Sequence, residues 1–117
     1  MAFSDDELEL SARVKRVLLA ARYPISYGAL ARILNVTGPG SIARVTRALE
    51  VLMQNDIAAG RPFLAAMCEG KLSGGMPALG FFQKAAALGG YSGPSTGAEA
   101  IAFVQQQRGL LALQTPR

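Results

Sequence analysis

Apolar residues Leu10, Val14, Val17, Leu18 and Ala21 recur at three- and four-residue intervals, which lines them along one face of a helix. Arg13, Lys15, Arg16 and Arg22 fall largely outside that stripe. Ser4 and Glu7 have the spacing of a capping box, in which each side chain satisfies a free backbone donor of the first turn. Tyr23-Pro24 ends the helix, because the residue before a proline is pushed out of the helical region. Ile25-Ser26-Tyr27-Gly28-Ala29-Leu30-Ala31-Arg32-Ile33-Leu34 predicts a second, shorter helix with Leu30, Ile33 and Leu34 facing inward.

Asn35-Val36-Thr37-Gly38-Pro39-Gly40 reads as a turn with several breakers in a row. A third helix over about 41–55 places Ile42, Val45, Leu49, Leu52 and Met53 on one face, and Arg44, Arg47, Val51 and Gln54 on the other. A long helix followed by two helices across a tight turn is the layout of a helix-turn-helix, with the third helix as the reader. Residues 61–68 alternate after a proline and predict a strand. Glu69-Gly70 turns it and 71–75 return it, giving a small hairpin or wing over about 62–75.

A short helix is expected over about 81–88, with Phe81 and Phe82 assigned to the core in preference to a base-stacking platform. Gly89-Gly90-Tyr91-Ser92-Gly93-Pro94 is a loop. Thr96 and Glu99 repeat the capping-box spacing and open a last helix with Ile101, Val104 and Leu111 on about one side and Gln105-Gln106-Gln107 as its polar part. Residues 114–117 are expected to fray. The fold expected is mainly α with a small β-hairpin: a winged helix-turn-helix over 1–91, and a helical extension over 92–117 packed on the same domain.

A chain of 117 residues that is 50% apolar and 17% charged has the size and composition of one self-folding domain. With no histidine and a single cysteine, Cys68, it lacks imidazole ligands, a histidine base and an intramolecular disulfide. No metal or cofactor is expected. The glycines at 38, 40, 74 and 75 do not match a phosphate loop ending in Gly-Lys-Ser or Gly-Lys-Thr. A non-enzymatic protein is therefore expected. The start Met-Ala-Phe-Ser-Asp-Asp-Glu carries neither the basic nor the apolar region of a secretory signal, so the expected location is cytoplasmic, without membrane contact.

The net charge of +4 is modest, but its distribution is uneven. Asp5, Asp6, Glu7 and Glu9 lie at the start and the next acid is Glu50, while Arg13, Lys15, Arg16, Arg22, Arg32, Arg44 and Arg47 come between. A stretch of one sign projects a positive field, as a face that binds a polyanion requires. Arg44 and Arg47 lie near the N-terminal half of the reading helix, where an arginine pairs bidentately with guanine. Ser41 opens that helix. Ser26 and Tyr27 begin the second helix, where a hydroxyl and free backbone donors suit a phosphate. Arg32 adds attraction to the DNA backbone, and Lys71 sits at the tip of the wing.

The run Ile25-Ser26-Tyr27-Gly28-Ala29-Leu30-Ala31, then Ile42-Ala43-Arg44-Val45, then Arg61-Pro62-Phe63 with a glycine-rich return, resembles the DNA-binding domain of alkylguanine DNA alkyltransferases and alkyltransferase-like proteins over about residues 25–91. The resemblance implies that Tyr27 contacts a phosphate and that Arg44 enters the base stack. The family's Pro-Cys-His-Arg active site is matched here by Pro62-Phe63-Leu64-Ala65, without the nucleophile or its base. It therefore implies DNA contact without alkyl transfer, and Cys68 is read as a small core residue. The expected partner is double-stranded DNA, with a homodimer possible through the C-terminal helix. The alternative is a protein-interaction module of the phage-inhibitor kind on the same scaffold, binding an acidic protein.

Overall fold

A computed structural model describes residues 3–114. Helix α1 (Asp5–Ala20) starts on the capping box: the Ser4 amide donates to Glu7 Oε1 at 2.8 Å, and the Glu7 amide donates to Ser4 Oγ at 3.1 Å. Leu10, Val14 and Leu18 are buried, as their spacing requires. Strand β1 (Ile25–Ser26) leads directly into α2 (Tyr27–Ile33), capped by Ser26 Oγ, which accepts from the Ala29 amide at 3.1 Å.

Asn35, at φ 57°, closes α2. The Asn35 amide bonds the Arg32 carbonyl and the Val36 amide bonds the Ala31 carbonyl, so the end is a Schellman motif with Ala31 and Val36 both buried. Arg13 reaches in from α1 and donates to the Leu34 carbonyl at 2.5 Å. Ile33 does not face inward but is 57% exposed. It lies about 100° round the helix from the direction shared by Leu30, Ala31 and Leu34, and Ala31 takes the expected inward place.

Helix α3 (Ser41–Ala58) starts on Gly40, whose φ of 78° is a left-handed conformation that suits glycine. Its buried face is wider than expected. Val51, expected on the exposed side, is 2% exposed, whereas Ile42, expected inside, is 44% exposed. The side of α3 that carries Val51 also carries Arg44 and Arg47, and α1 packs there, with Glu7 against Arg47.

The expected hairpin does not form among the described residues. A 3₁₀ turn (Leu64–Met67) precedes β2 (Cys68–Glu69), which pairs in parallel with β1, Ile25 opposite Cys68 and Ser26 opposite Glu69. The reason lies in burial. Every residue from 63 to 68 is buried, so the segment runs through the core, whereas a half-solvated hairpin would bury alternate positions only. Residues 70–76 instead make a closed loop, in which the Gly70 amide bonds the Met76 carbonyl at 2.9 Å.

Helix α4 (Leu79–Ala87) buries Phe81, Phe82 and Ala85. Gly90 then passes so close to Phe63 that a Cβ there would stand 2.7 Å from the ring. Helix α5 (Ala98–Gln114) begins one residue off the expected register: the Ile101 amide bonds the Gly97 carbonyl, which makes Gly97 the cap and leaves Thr96 before it. Ile101 is exposed, while Ala100, Val104, Gln107 and Leu111 are buried. Of the tail expected to fray, Gln114 is helical and 115–117 lie outside the described residues.

Candidate nucleic-acid interface

The turn before α3 carries two left-handed glycines, Gly38 and Gly40, and residues 42–44 in the first turn of the helix are exposed. Ser41 sits there half-buried, with its amide on the Gly38 carbonyl. Arg44 is exposed, and no hydrogen bond or ion pair holds its side chain among the described residues. Arg32, on α2, is also exposed, with its guanidinium folded back over Gly28. Lys71 is exposed at the tip of the 70–76 loop.

Arg47 is held differently. Its Nε meets Glu7 Oε2 at 3.0 Å, its Nη1 meets Glu50 Oε1 at 2.9 Å, and its guanidinium lies 5.2 Å from the centre of the Phe3 ring. The hydrogen bond from the Ser4 backbone, followed by that from Arg47, holds the Glu7 carboxyl below its ordinary range. Asp6, Glu7 and Glu9 line a groove of about 480 Å³ with Arg13, Arg44 and Arg47. The stretch without carboxylates is thus neutralised in part by acids from the chain's start, folded against it.

Ser26 is spent on capping α2 and does not offer its hydroxyl oxygen freely. Tyr27 is half-buried; its oxygen accepts from the Ala78 amide at 2.9 Å, and burial pushes its pKa up to about 12. The tyrosine stays protonated, and because it accepts that bond its own O–H is left to donate, the polarity a phosphate needs. A smaller, mostly apolar pocket of about 90 Å³ joins Tyr27 to Ile42 and Thr46 of α3 and to Ala78 at the end of the loop. The structure therefore brings Tyr27, the start of α3 and the base of the loop to one side.

Three residues that the pattern of the sequence passed over fasten this arrangement. Asp56, buried at the end of α3, accepts from the Leu64 amide at 3.0 Å and from Arg61 Nε at 3.2 Å, while burial raises its pKa. Gln107, expected on a polar face, is buried and accepts from the Phe63 amide at 2.7 Å. Arg108 donates through Nε to the Ala66 carbonyl at 2.7 Å and through Nη2 to the carbonyls of Gly75 at 2.7 Å and Cys68 at 3.4 Å. One signal pointed to it: Arg108 is the sole base in α5.

Cys68 is fully buried, and desolvation pushes its thiol up to about 12. At pH 8 the folded protein carries roughly a thousandfold less thiolate than an unfolded chain would. Native protein is therefore expected to leave a chromogenic disulfide reagent unreacted over hours and to react within seconds once unfolded. Rapid labelling of folded protein would show that the thiol is open. Comparison of the chain with protein-family models, curated proteins and solved structures gives no match.

Proposed function

We propose that the protein binds duplex DNA without catalysing a reaction, as a regulatory or architectural protein of winged helix-turn-helix type, similar to alkyltransferase-like proteins that lack the catalytic cysteine. The observation that carries the reading is Arg44, exposed and without an ionic partner among the described residues, in the first turn of a helix that follows α2 across a tight turn. Lys15, Arg16, Arg22, Arg32 and Lys71 are also exposed, and the two or three of the helix bases that face the duplex add attraction that does not depend on base sequence. Tyr27 contributes its O–H to a phosphate, and the 70–76 loop serves as the wing. Ser41 approaches the DNA backbone from the helix start.

The test is a titration of fluorescent duplex at several salt concentrations. Affinity in the micromolar range or better is expected at low salt, falling steeply as salt rises. Arg44→Ala is expected to weaken binding about tenfold and to flatten the salt slope by about one. Arg47→Ala is expected to do less, because Glu7 and Glu50 already neutralise that side chain. No binding at low ionic strength, or no change with Arg44→Ala, overturns the reading.

The groove in which Asp6, Glu7 and Glu9 stand beside Arg13, Arg44 and Arg47 carries both signs of charge, which favours a second reading, an interaction module for an acidic protein whose own scattered bases meet those acids, over a uniform polyanion. Co-purification with a protein, together with indifference to duplex, would select it. On α5, Ile101, Leu110 and Leu113 are the large apolar residues that stand exposed, and a second copy would draw its contacts from among them.

A further inference from the structure

The loop over 70–76 has an unusual tip. Leu72 is 97% exposed and stands at φ 62°, a left-handed conformation that an aliphatic side chain rarely adopts. An exposed leucine by itself is ordinary. Here the loop beneath it is tied down. The Gly70 amide bonds the Met76 carbonyl, the Ser73 amide bonds the Gly70 carbonyl, and the Met76 amide bonds the Ser73 carbonyl. Arg108 clamps the base through the carbonyls of Cys68 and Gly75. A hydrogen-bonded mount, a strained apolar tip and a cation beside it, Lys71, make a projecting element whose side chain is almost wholly exposed among the described residues.

The place of the loop says what it faces. Its first limb leaves β2, which pairs with Ser26 just before α2, and its second limb ends at Ala78, bonded to Tyr27 and bordering the pocket shared with Ile42 and Thr46 of α3. Both limbs therefore spring from the side that carries the starts of α2 and α3. We infer that Leu72 is a wedge inserted between base pairs of bound duplex, with Lys71 on the neighbouring phosphate; the inference rests on the DNA-binding reading above. Apolar wedges of this kind unstack a base step and kink the helix, and unstacking unwinds it.

Unwinding can be read on DNA of any sequence. Closed-circular plasmid is relaxed by a topoisomerase in the presence of the full chain, the protein is then removed, and the linking number is measured. The wild type is expected to lower the linking number in proportion to protein bound, and Leu72→Ala to abolish the change with a fivefold to tenfold loss of affinity. Leu72→Gly is expected to lose the change as well while melting about 3 °C higher, since glycine relieves the backbone. Lys71→Ala is expected to weaken binding and keep the change per molecule bound. Duplex binding by the wild type that leaves the linking number unaltered, or an equal change with Leu72→Ala, overturns the wedge and leaves DNA binding standing. Absence of any duplex binding overturns both.

Discussion

Phe81→Ala is expected to cost about 4 kcal/mol of folding stability, read from urea denaturation with an unchanged m-value. Phe81 is buried at the centre of an aromatic cluster, with ring centroids 5.9 Å from Phe63, 5.2 Å from Phe82 and 6.3 Å from Phe103. Those three rings come from different parts of the chain: the segment before the 3₁₀ turn, α4 and α5. Phe82 and Phe103 are both held by Tyr91 as well, at 6.0 Å and stacked at 4.3 Å, and Phe63 meets Phe103 at 6.5 Å. The surroundings therefore have little freedom to collapse, and the cavity cost adds to the lost transfer energy. Phe81→Leu, which keeps most of the volume, should cost about 1.5 kcal/mol. A loss below that figure for Phe81→Ala would mean that the ring is not at the core's centre and would reopen a base-stacking role.

Arg108→Ala should cost about 3 kcal/mol, which for a chain of this size lowers the melting temperature by about 12 °C. Removing the guanidinium leaves the carbonyls of Ala66 and Gly75 without donors, and Ala66 is fully buried, where water cannot substitute. Burial pulls the Arg108 pKa below its ordinary value, yet the carbonyl bonds keep the charged form useful. Arg108→Lys is expected to recover less than half, because one ammonium cannot span acceptors that the Nε and Nη2 atoms reach separately. Arg32→Ala, at an exposed site, is the control and should stay within about 0.5 kcal/mol. Hydrogen exchange should locate the damage, with the amides of Gly70 and Met76 losing protection first. If Arg108→Ala unfolds no more easily than Arg32→Ala, the clamp contributes nothing.

These two substitutions also bear on the candidate site. The 70–76 loop is clamped by Arg108 of α5, from the last helix of the chain's described part. Under the proposed DNA-binding reading, damage to α5 should therefore disturb the contact through the loop without touching Arg44.

Much of the helical framework was legible in the residues themselves. The Ser4–Glu7 box and the breakers from Asn35 to Gly40 act within a few residues of backbone and are found where their chemistry places them, while the first helix stops at Ala20, three residues before Tyr23-Pro24, and Ser26, read as a phosphate contact, caps α2 instead. The apolar stripe of α1 was legible for the same reason, since one helix face repeats every few residues. Cys68 as a buried residue was legible from the absence of any base to activate it.

The tertiary structure decided what depends on partners far along the chain. Arg47 meets Glu7 across forty residues, so the acid-free stretch is acid-free in sequence only. The segment after Pro62 alternates like a hairpin strand, but its burial on all sides sends it through the core to pair in parallel with β1. Gln107 looks like a solvated residue and instead satisfies the amide of Phe63, forty-four residues away. Periodicity reports the face a residue occupies on its own helix; burial and charge pairing depend on what packs against that face, and only the assembled chain supplies the neighbour.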